Sequence, residues 1–456
     1  MAMEGVTVEA QADRASFPQE SSNTEGQVNL TSPAGEWRLS TRILFRFAFA
    51  YLVLYTLPFP LNAIPNVEFV DRAYNNLWNL VVPWVGAHVL HLSYEITVLP
   101  HGGSGDTTWN YVQVLCLFAL AMIAAIGWSL LDRKHRNYNR MHDWLRVYVR
   151  FALGVAMISY GSFKVIQSQF PPPSLDRLLQ PFGDASPMGL LWTFMGASQS
   201  YNLFAGLGEM LGGVLLFARR TTLLGALVSI AVMSHIAMLN FSYDVPVKLY
   251  SLHLLAMAIF LVVPDARRLA NVLVLNRPAE PAALRPLFAR QWLNRSALVL
   301  RSVFLVAFVG YSLYGSYAAR REYGDLAERS PLRGIWEVEE FEVAGQIRPL
   351  LVTDSARWRR VIFDYPGVIA VQQMSDSRSR YTLVLDTEKK TLDLGKRDDP
   401  KWKAALTYEQ PEPALLTLTG QLDGEQIRAK LHRTDESRFL LRSRGFHWIN
   451  EYSFNR

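Results

Sequence analysis

Apolar residues are unevenly spread along this chain. Between about Arg42 and Gly315 they gather into runs of roughly 17–24 residues, the length that crosses a hydrocarbon core of about 30 Å. From Ser330 to Arg456 the runs shorten and alternate with polar positions. The first pattern predicts membrane helices and the second predicts strands with one buried face. Seven spans are expected, at about 43–61, 109–131, 146–168, 200–218, 222–241, 247–264 and 297–315. Two shorter pieces, 77–92 and 188–197, are broken by Pro or Gly. They read as interfacial or re-entrant segments, with Trp78, Trp84 and Trp192 at the interface. Residues 1–36 are polar, have no signal-peptide core and read as a disordered cytoplasmic tail.

Composition agrees with a membrane class. Of 456 residues half are apolar, with 12 Trp, 19 Tyr and 24 Phe. The formal charge of +6 carries no nucleic-acid signal, because Lys and Arg fall mostly in the connections between spans. Segment 132–146, the Arg219-Arg220 turn and the 265–295 loop are basic, whereas loops 62–108, 169–199 and 242–246 hold only Arg72 and Arg177. The positive-inside rule then puts the amino terminus in the cytoplasm and, after seven spans, the carboxy-terminal domain outside. Arg320 and Arg321 run against this, although long domains translocate largely regardless of charge. The single cysteine, Cys116, lies within a span, which excludes a disulfide framework and a CxxC pair.

Several ionisable groups interrupt the apolar runs. Depth, taken at about 1.5 Å per residue, puts Lys164, His235, His253 and Glu209 in one outer-leaflet layer, with Asp244 and Lys248 at its mouth. Charges facing lipid cost at least about 2.5–3.5 kcal/mol each, so Glu209 is expected to pair with Lys164 or Lys248 inside the bundle. That layer is either a ligand or proton pocket or a device that locks helix register. His235 and His253, at a common depth on consecutive helices, are a candidate ligand pair for a b-type haem or a metal. A hydrogen bond from each to a neighbouring span is the plainer reading. His88 and His91 share a helical face, and HGGSGDTTWNY follows at 101–111. There Asp106 is expected to cap the helix opened by Thr107 and Thr108. A metal site of His88, His91, His101 and Asp106 is the other reading.

The stretches RFALGVAMISYGSFKVIQ (150–167) and GLGEMLGGVLLFARRTTLLGAL (206–227) resemble the DoxX-like family of integral membrane proteins. Arg150, Gly161, Lys164, Glu209, Gly212, Gly213, Arg219 and Arg220 carry the likeness, which covers about 146–268. It implies a four-helix core in a bacterial inner-membrane protein. Relatives linked to quinone-dependent sulfur oxidation, and a wider clan in which a lysine acts as base on a quinol, make an isoprenoid quinone the cofactor that the resemblance suggests. Lys164, Glu209, Asp244 and Lys248 would then handle protons.

The carboxy-terminal part, 330–456, reads as strands at 332–343, 358–365, 381–386, 390–395, 414–422, 425–433 and 438–449. Eight to ten short antiparallel strands predict an extracytoplasmic up-and-down β-barrel. Gly334-Ile335-Trp336, with Arg442 or Arg444 late in the chain, resembles the lipocalin pattern in which an arginine packs over the tryptophan of G-x-W. The expected architecture is therefore a tail (1–36), an α-helical membrane bundle (37–318) and an outer lipocalin-like domain (330–456). Three functions stay open: a quinone- or lipid-binding redox or enzyme subunit, a proton-coupled transporter, and a binding or assembly factor whose barrel meets a protein partner.

Overall fold

The computed structural model describes residues 36–64, 66–99, 104–282 and 288–455. The tail expected at 1–36 lies outside them except for Glu36. The helical part comprises α1 (Leu39–Thr56), α2 (Glu68–His88), α3 (Thr108–Leu131), α4 (Asn139–Val165), the short α5 (Leu175–Leu178), α6 (Pro187–Ala197), α7 (Gln199–Phe217), α8 (Thr222–Ser242), α9 (Lys248–Val262), α10 (Ala266–Leu273) and α11 (Gln291–Tyr323). Among the described residues six helical runs are long and apolar enough to cross a membrane: α1, α3, α7, α8, α9 continued into α10, and α11. α4 has 27 residues, but its first turns read NRMHDWLRVYVR, which keeps it out of that set.

The apolar piece at 77–92 departs from expectation. Its residues 77–88 form the second half of one continuous 21-residue helix, α2, which holds Pro83 within it, and 89–92 follow the helix end. Trp78 is correspondingly not interfacial but buried with Val82, Ile96, Val112 and Leu117, packing α2 onto α3. Trp84 is exposed.

The carboxy-terminal domain is a closed antiparallel barrel. Its strands are β1 (Gly334–Val343), the two-residue β2 (Gln346–Ile347), β3 (Trp358–Phe363), β4 (Val368–Gln373), β5 (Arg378–Asp386), β6 (Thr391–Gly395), β7 (Lys403–Glu412), β8 (Leu415–Leu422) and β9 (Glu425–Arg433). Each strand from β3 to β9 pairs with its sequence neighbour, and β1 pairs with both β3 and β9, so eight strands close the ring. Period-two patterning drives this, as in β9, where Ile427, Ala429 and Leu431 point inward and the residues between them outward. The β8–β9 turn is Asp423-Gly424, both with positive φ, the sequence that a tight two-residue hairpin favours. Side chains fill the interior as one cluster that includes Trp336, Phe341, Trp358, Phe363, Tyr381 and Tyr408. Trp336 is buried and its Nε1–H donates to the Leu332 carbonyl (2.9 Å).

Two expectations for the barrel are corrected. Segment 438–449 is not a strand but leads through α12 (Leu440–Ser443) into an irregular tail. The arginine beside Trp336 is neither Arg442 nor Arg444. Arg442 pairs with Glu436, and Arg444 bonds Asn450. Register decides instead for Arg433, which stands opposite Trp336 in the β1–β9 ladder. Its Nε lies 3.0 Å from where a Cβ on Gly334 would be, and Trp336 Nε1 lies 3.4 Å from the same point.

Barrel and helices meet at the connection between α4 and α6. Leu175 packs on Ile335, Ile362 and Ala370, and its N–H donates to Asp364 Oδ2 (2.6 Å). Burial pushes the Asp364 carboxyl above its usual range. Asp176 bridges Arg378 and Arg380. At the end of α11, Arg320 grips Asp325 through Nε and Nη2 (2.7 and 2.8 Å) while its Nη1 donates to the Ile166 carbonyl (3.0 Å). The loop after α4 and the barrel therefore lie on one side of the bundle.

Candidate functional site

The site begins with missing side chains. A Cβ on Gly161 would stand 2.7 Å from the Gly206 carbonyl oxygen, and one on Gly206 would stand 2.7 Å from the Gly161 oxygen. Gly154 and Gly213 repeat the arrangement further along, with corresponding distances of 3.2 and 2.9 Å. α4 and α7 thus run antiparallel with their backbones nearly touching, as small residues allow in membrane helices.

That approach brings the two charges together. In a helix each Cα–Cβ bond tilts toward the amino terminus. On antiparallel helices Lys164 and Glu209 therefore lean toward each other, and Lys164 Nζ meets Glu209 Oε1 at 2.7 Å. The stem of Lys164 crosses Gly206, whose absent Cβ would lie 2.9 Å from Lys164 Cβ. Both residues are buried, at 7% and 1% exposure, and Glu209 Oε2 has no hydrogen-bond partner. Desolvating two charges is repaid only by close geometry and additional hydrogen bonds, and here one acceptor is left over.

The pair borders a partly open cavity of about 320 Å³ lined by α4, α6, α7, α8, α9, the turn before α9 and Ser104-Gly105 before α3. Most of the wall is apolar, with Met157, Met195, Met233, Leu191, Leu254 and Phe170 contributing. Set into it are Tyr160, Tyr250, Gln169 and Asn240. Asn240 Nδ2 and Gln169 Oε1 are buried without a partner, like Glu209 Oε2. One donor and two acceptors thus stand unsatisfied around a single greasy hole. Each such group costs free energy unless a ligand or water meets it. The ion pair neutralises its own charge, so the arrangement suits the neutral polar end of an amphiphile.

A second segment fastens the rim. Gly105 N–H donates to the Pro246 carbonyl (2.8 Å), and the Asp106 carboxylate accepts from the backbone N–H groups of Lys248 (2.7 Å) and Leu249 (3.0 Å). Asp106 therefore caps α9 rather than α3. The α3 cap is Thr107, which forms a capping box with Asn110.

A 125-residue stretch is 32% identical to the uncharacterized protein YwoB of Bacillus subtilis (strain 168), covering 27% of this chain and 78% of that protein. The chain belongs to the YwoB family. No family model matches it, and no solved structure does.

In this YwoB relative the other expected site residues lie apart from the cavity wall. Lys248 does not reach Glu209. It pairs with Asp244 (3.0 Å) and approaches Asp106 (3.9 Å) at the rim, where Asp244 is exposed. His235 is exposed, because Met233, Ala237 and Asn240 take the buried face of α8 and His235 stands two positions, about 200°, from Met233. His253 faces α1, with Nε2 2.7 Å from Tyr51 Oη, Nδ1 2.7 Å from the Leu249 oxygen and its ring stacked on Tyr55 at 3.8 Å. The two imidazoles do not converge, so the candidate haem or metal pair of His235 and His253 is not formed, and His253 instead bonds a neighbouring helix, the plainer reading. His88 stacks on Trp84 and bonds its carbonyl, and His91 is exposed. With Asp106 committed to α9, these do not assemble, and no group of three metal-ligating side chains occurs among the described residues. His101 lies outside them.

Arg150 donates to the Leu216 and Phe217 carbonyls (2.9 and 3.0 Å) and so closes the end of α7. Asn240, Gln169, Tyr160 and Tyr250 were not singled out from the sequence. A signal existed for Asn240, the one amide side chain in α8. Gln169 follows the end of α4 in a loop, where a glutamine carries none.

Proposed function

We propose that this chain is a DoxX-like protein of the bacterial inner membrane that binds a neutral lipophilic molecule, an isoprenoid quinone or a lipid, between α4, α7, α8 and α9. In this reading α4 is a seventh span, the amino terminus is cytoplasmic, and the cavity and barrel face the outer side. The observation that carries it is the Lys164–Glu209 pair at the wall of an apolar cavity, with Glu209 Oε2, Asn240 Nδ2 and Gln169 Oε1 unpartnered around it. The basic turns expected inside and the contact between the barrel and the α4–α6 loop support the orientation, since both outer elements then share a side. Proton-coupled transport has less behind it, because Arg150 in the opposite half is spent on helix-end carbonyls. The barrel interior is filled by its own side chains, which favours the helical cavity as the ligand site.

The test is to purify the full chain from membranes, extract it with organic solvent and identify what co-purifies by mass spectrometry, beside Glu209→Gln and Asn240→Leu. A quinone or lipid recovered in stoichiometric amount from the parent and lost from both variants, with folded protein retained, is the expected result. Equal recovery from all three would overturn the reading.

A further inference from the structure

The tail that follows the barrel exposes large apolar side chains. Phe446, Trp448, Ile449 and Tyr452 are 77, 90, 78 and 88% exposed. The tail is nonetheless organised. Arg444 donates to Asn450 Oδ1 (2.7 Å) and lies over the Phe454 ring at 3.9 Å, and Phe446 meets Trp448 edge to face at 5.1 Å. Aromatic side chains gathered this way and left open in water mark a binding surface.

Its position in the fold says what covers it. Arg442, where the tail leaves α12, borders the same small cavity, about 100 Å³, as Gly324, the residue that follows α11. Phe439 packs on the cluster of Leu175, Ile335, Ile362 and Ala370, as do Leu178 and Leu179 of the loop that leaves α4. The tail thus starts beside the end of α11 and the loop that leaves α4. The apolar run of α11 ends near Gly315, and its last residue, Tyr323, stands about 12 Å further on at about 1.5 Å per residue. An irregular chain of a dozen residues, at up to about 3.3 Å each, spans that distance easily. Trp, Tyr and Phe are the side chains that settle at the headgroup level of a bilayer.

We propose that residues 444–454 form an interfacial anchor, with Phe446, Trp448, Ile449 and Tyr452 seated in the lipid headgroup layer of the membrane that α11 crosses, holding the barrel against the bilayer. The anchor is independent of what the helical cavity binds.

Site-directed spin labelling tests this in the full chain. With Cys116→Ala as background, a nitroxide is placed at Trp448→Cys or, as a reference on the exposed β6–β7 turn, at Asp398→Cys. The protein is reconstituted in vesicles of phosphatidylcholine and phosphatidylglycerol. In vesicles the label at 448 should lose collisions with a water-soluble nickel chelate and gain them with oxygen, while the label at 398 stays open to nickel. Nickel access at 448 equal to that at 398 overturns the proposal. Loss of oxygen collisions together with nickel collisions at 448 overturns it too, because the tail would then be packed on its own chain. Spin–spin broadening at 448 that vanishes on dilution with unlabelled protein means that a second copy covers the surface, and also overturns it.

Discussion

Lys164 Nζ stands 2.7 Å from Glu209 Oε1 between two helices that touch at glycine. Neither charge has a second charged partner within salt-bridge distance among the described residues, and both are buried. Removing one leaves the other uncompensated, which typically costs about 3–5 kcal/mol, whereas replacing both by apolar groups of similar volume is often close to neutral. Lys164→Met should therefore lower the thermal midpoint of the detergent-solubilised protein sharply, and Lys164→Met with Glu209→Leu should recover most of the loss. The double variant should still lack any bound molecule. A double variant as unstable as the single one would mean that the pair contributes by packing and not by charge compensation.

The glycine contacts make a steric prediction. Gly206→Val adds a Cβ 2.7 Å from the Gly161 oxygen and 2.8 Å from the Val165 nitrogen, both backbone atoms that cannot rotate away. α4 and α7 must separate, and Lys164 and Glu209 with them. The expected outcome is loss of folded protein or, where folding survives, loss of the bound molecule. Gly183→Ala, where nothing lies within 4 Å, is the control and should leave both unchanged. Size-exclusion elution and ligand recovery measured side by side separate the two cases.

Much of this was readable from the chain, and the exceptions have physical causes. Charges inside apolar runs mark Lys164 and Glu209 before any coordinates, because lipid tolerates them only in pairs. Which lysine answers Glu209 was not readable. That depends on how closely α4 and α7 approach, and the glycines that set it are spread over two helices. In the barrel, β4 and β7 escaped the pattern search. In β4, VIAVQQ does not alternate because both faces are covered: Ile369 and Val371 point into the barrel, and Ala370 lies against Leu175 of the docking loop. The aromatic stretch at 438–449 looked like a strand, but Leu440–Ser443 turns helical and Gly445 takes a φ of +68°. Arg433 was missed beside Trp336 because its place opposite that residue is a matter of strand register, which closure of the barrel decides.

Arg357 offers a last prediction, since no sequence pattern pointed to it. It is 1% exposed, and its guanidinium donates to the carbonyls of Arg348 (3.0 Å), Trp358 (2.8 Å), Val338 (3.3 Å) and Glu339 (3.2 Å). The last three of these belong to the places where register shifts, between Val338 and Glu340 in the β1–β9 ladder and between Trp358 and Arg360 in the β3–β4 ladder. A bulge leaves backbone groups without ladder partners, and one planar fork of donors satisfies both bulges at once. Arg357→Met keeps the bulk but strands those carbonyls, at about 1–3 kcal/mol for a buried unsatisfied group. Arg357→Lys should recover only part of the loss, because one ammonium cannot reach both bulges. Hydrogen exchange on the full chain should then show faster exchange through β1, β3 and β9 in Arg357→Met, with α4 and α7 unchanged. Unaltered protection in those strands would mean that water replaces the guanidinium without cost, and that the bulges do not depend on it.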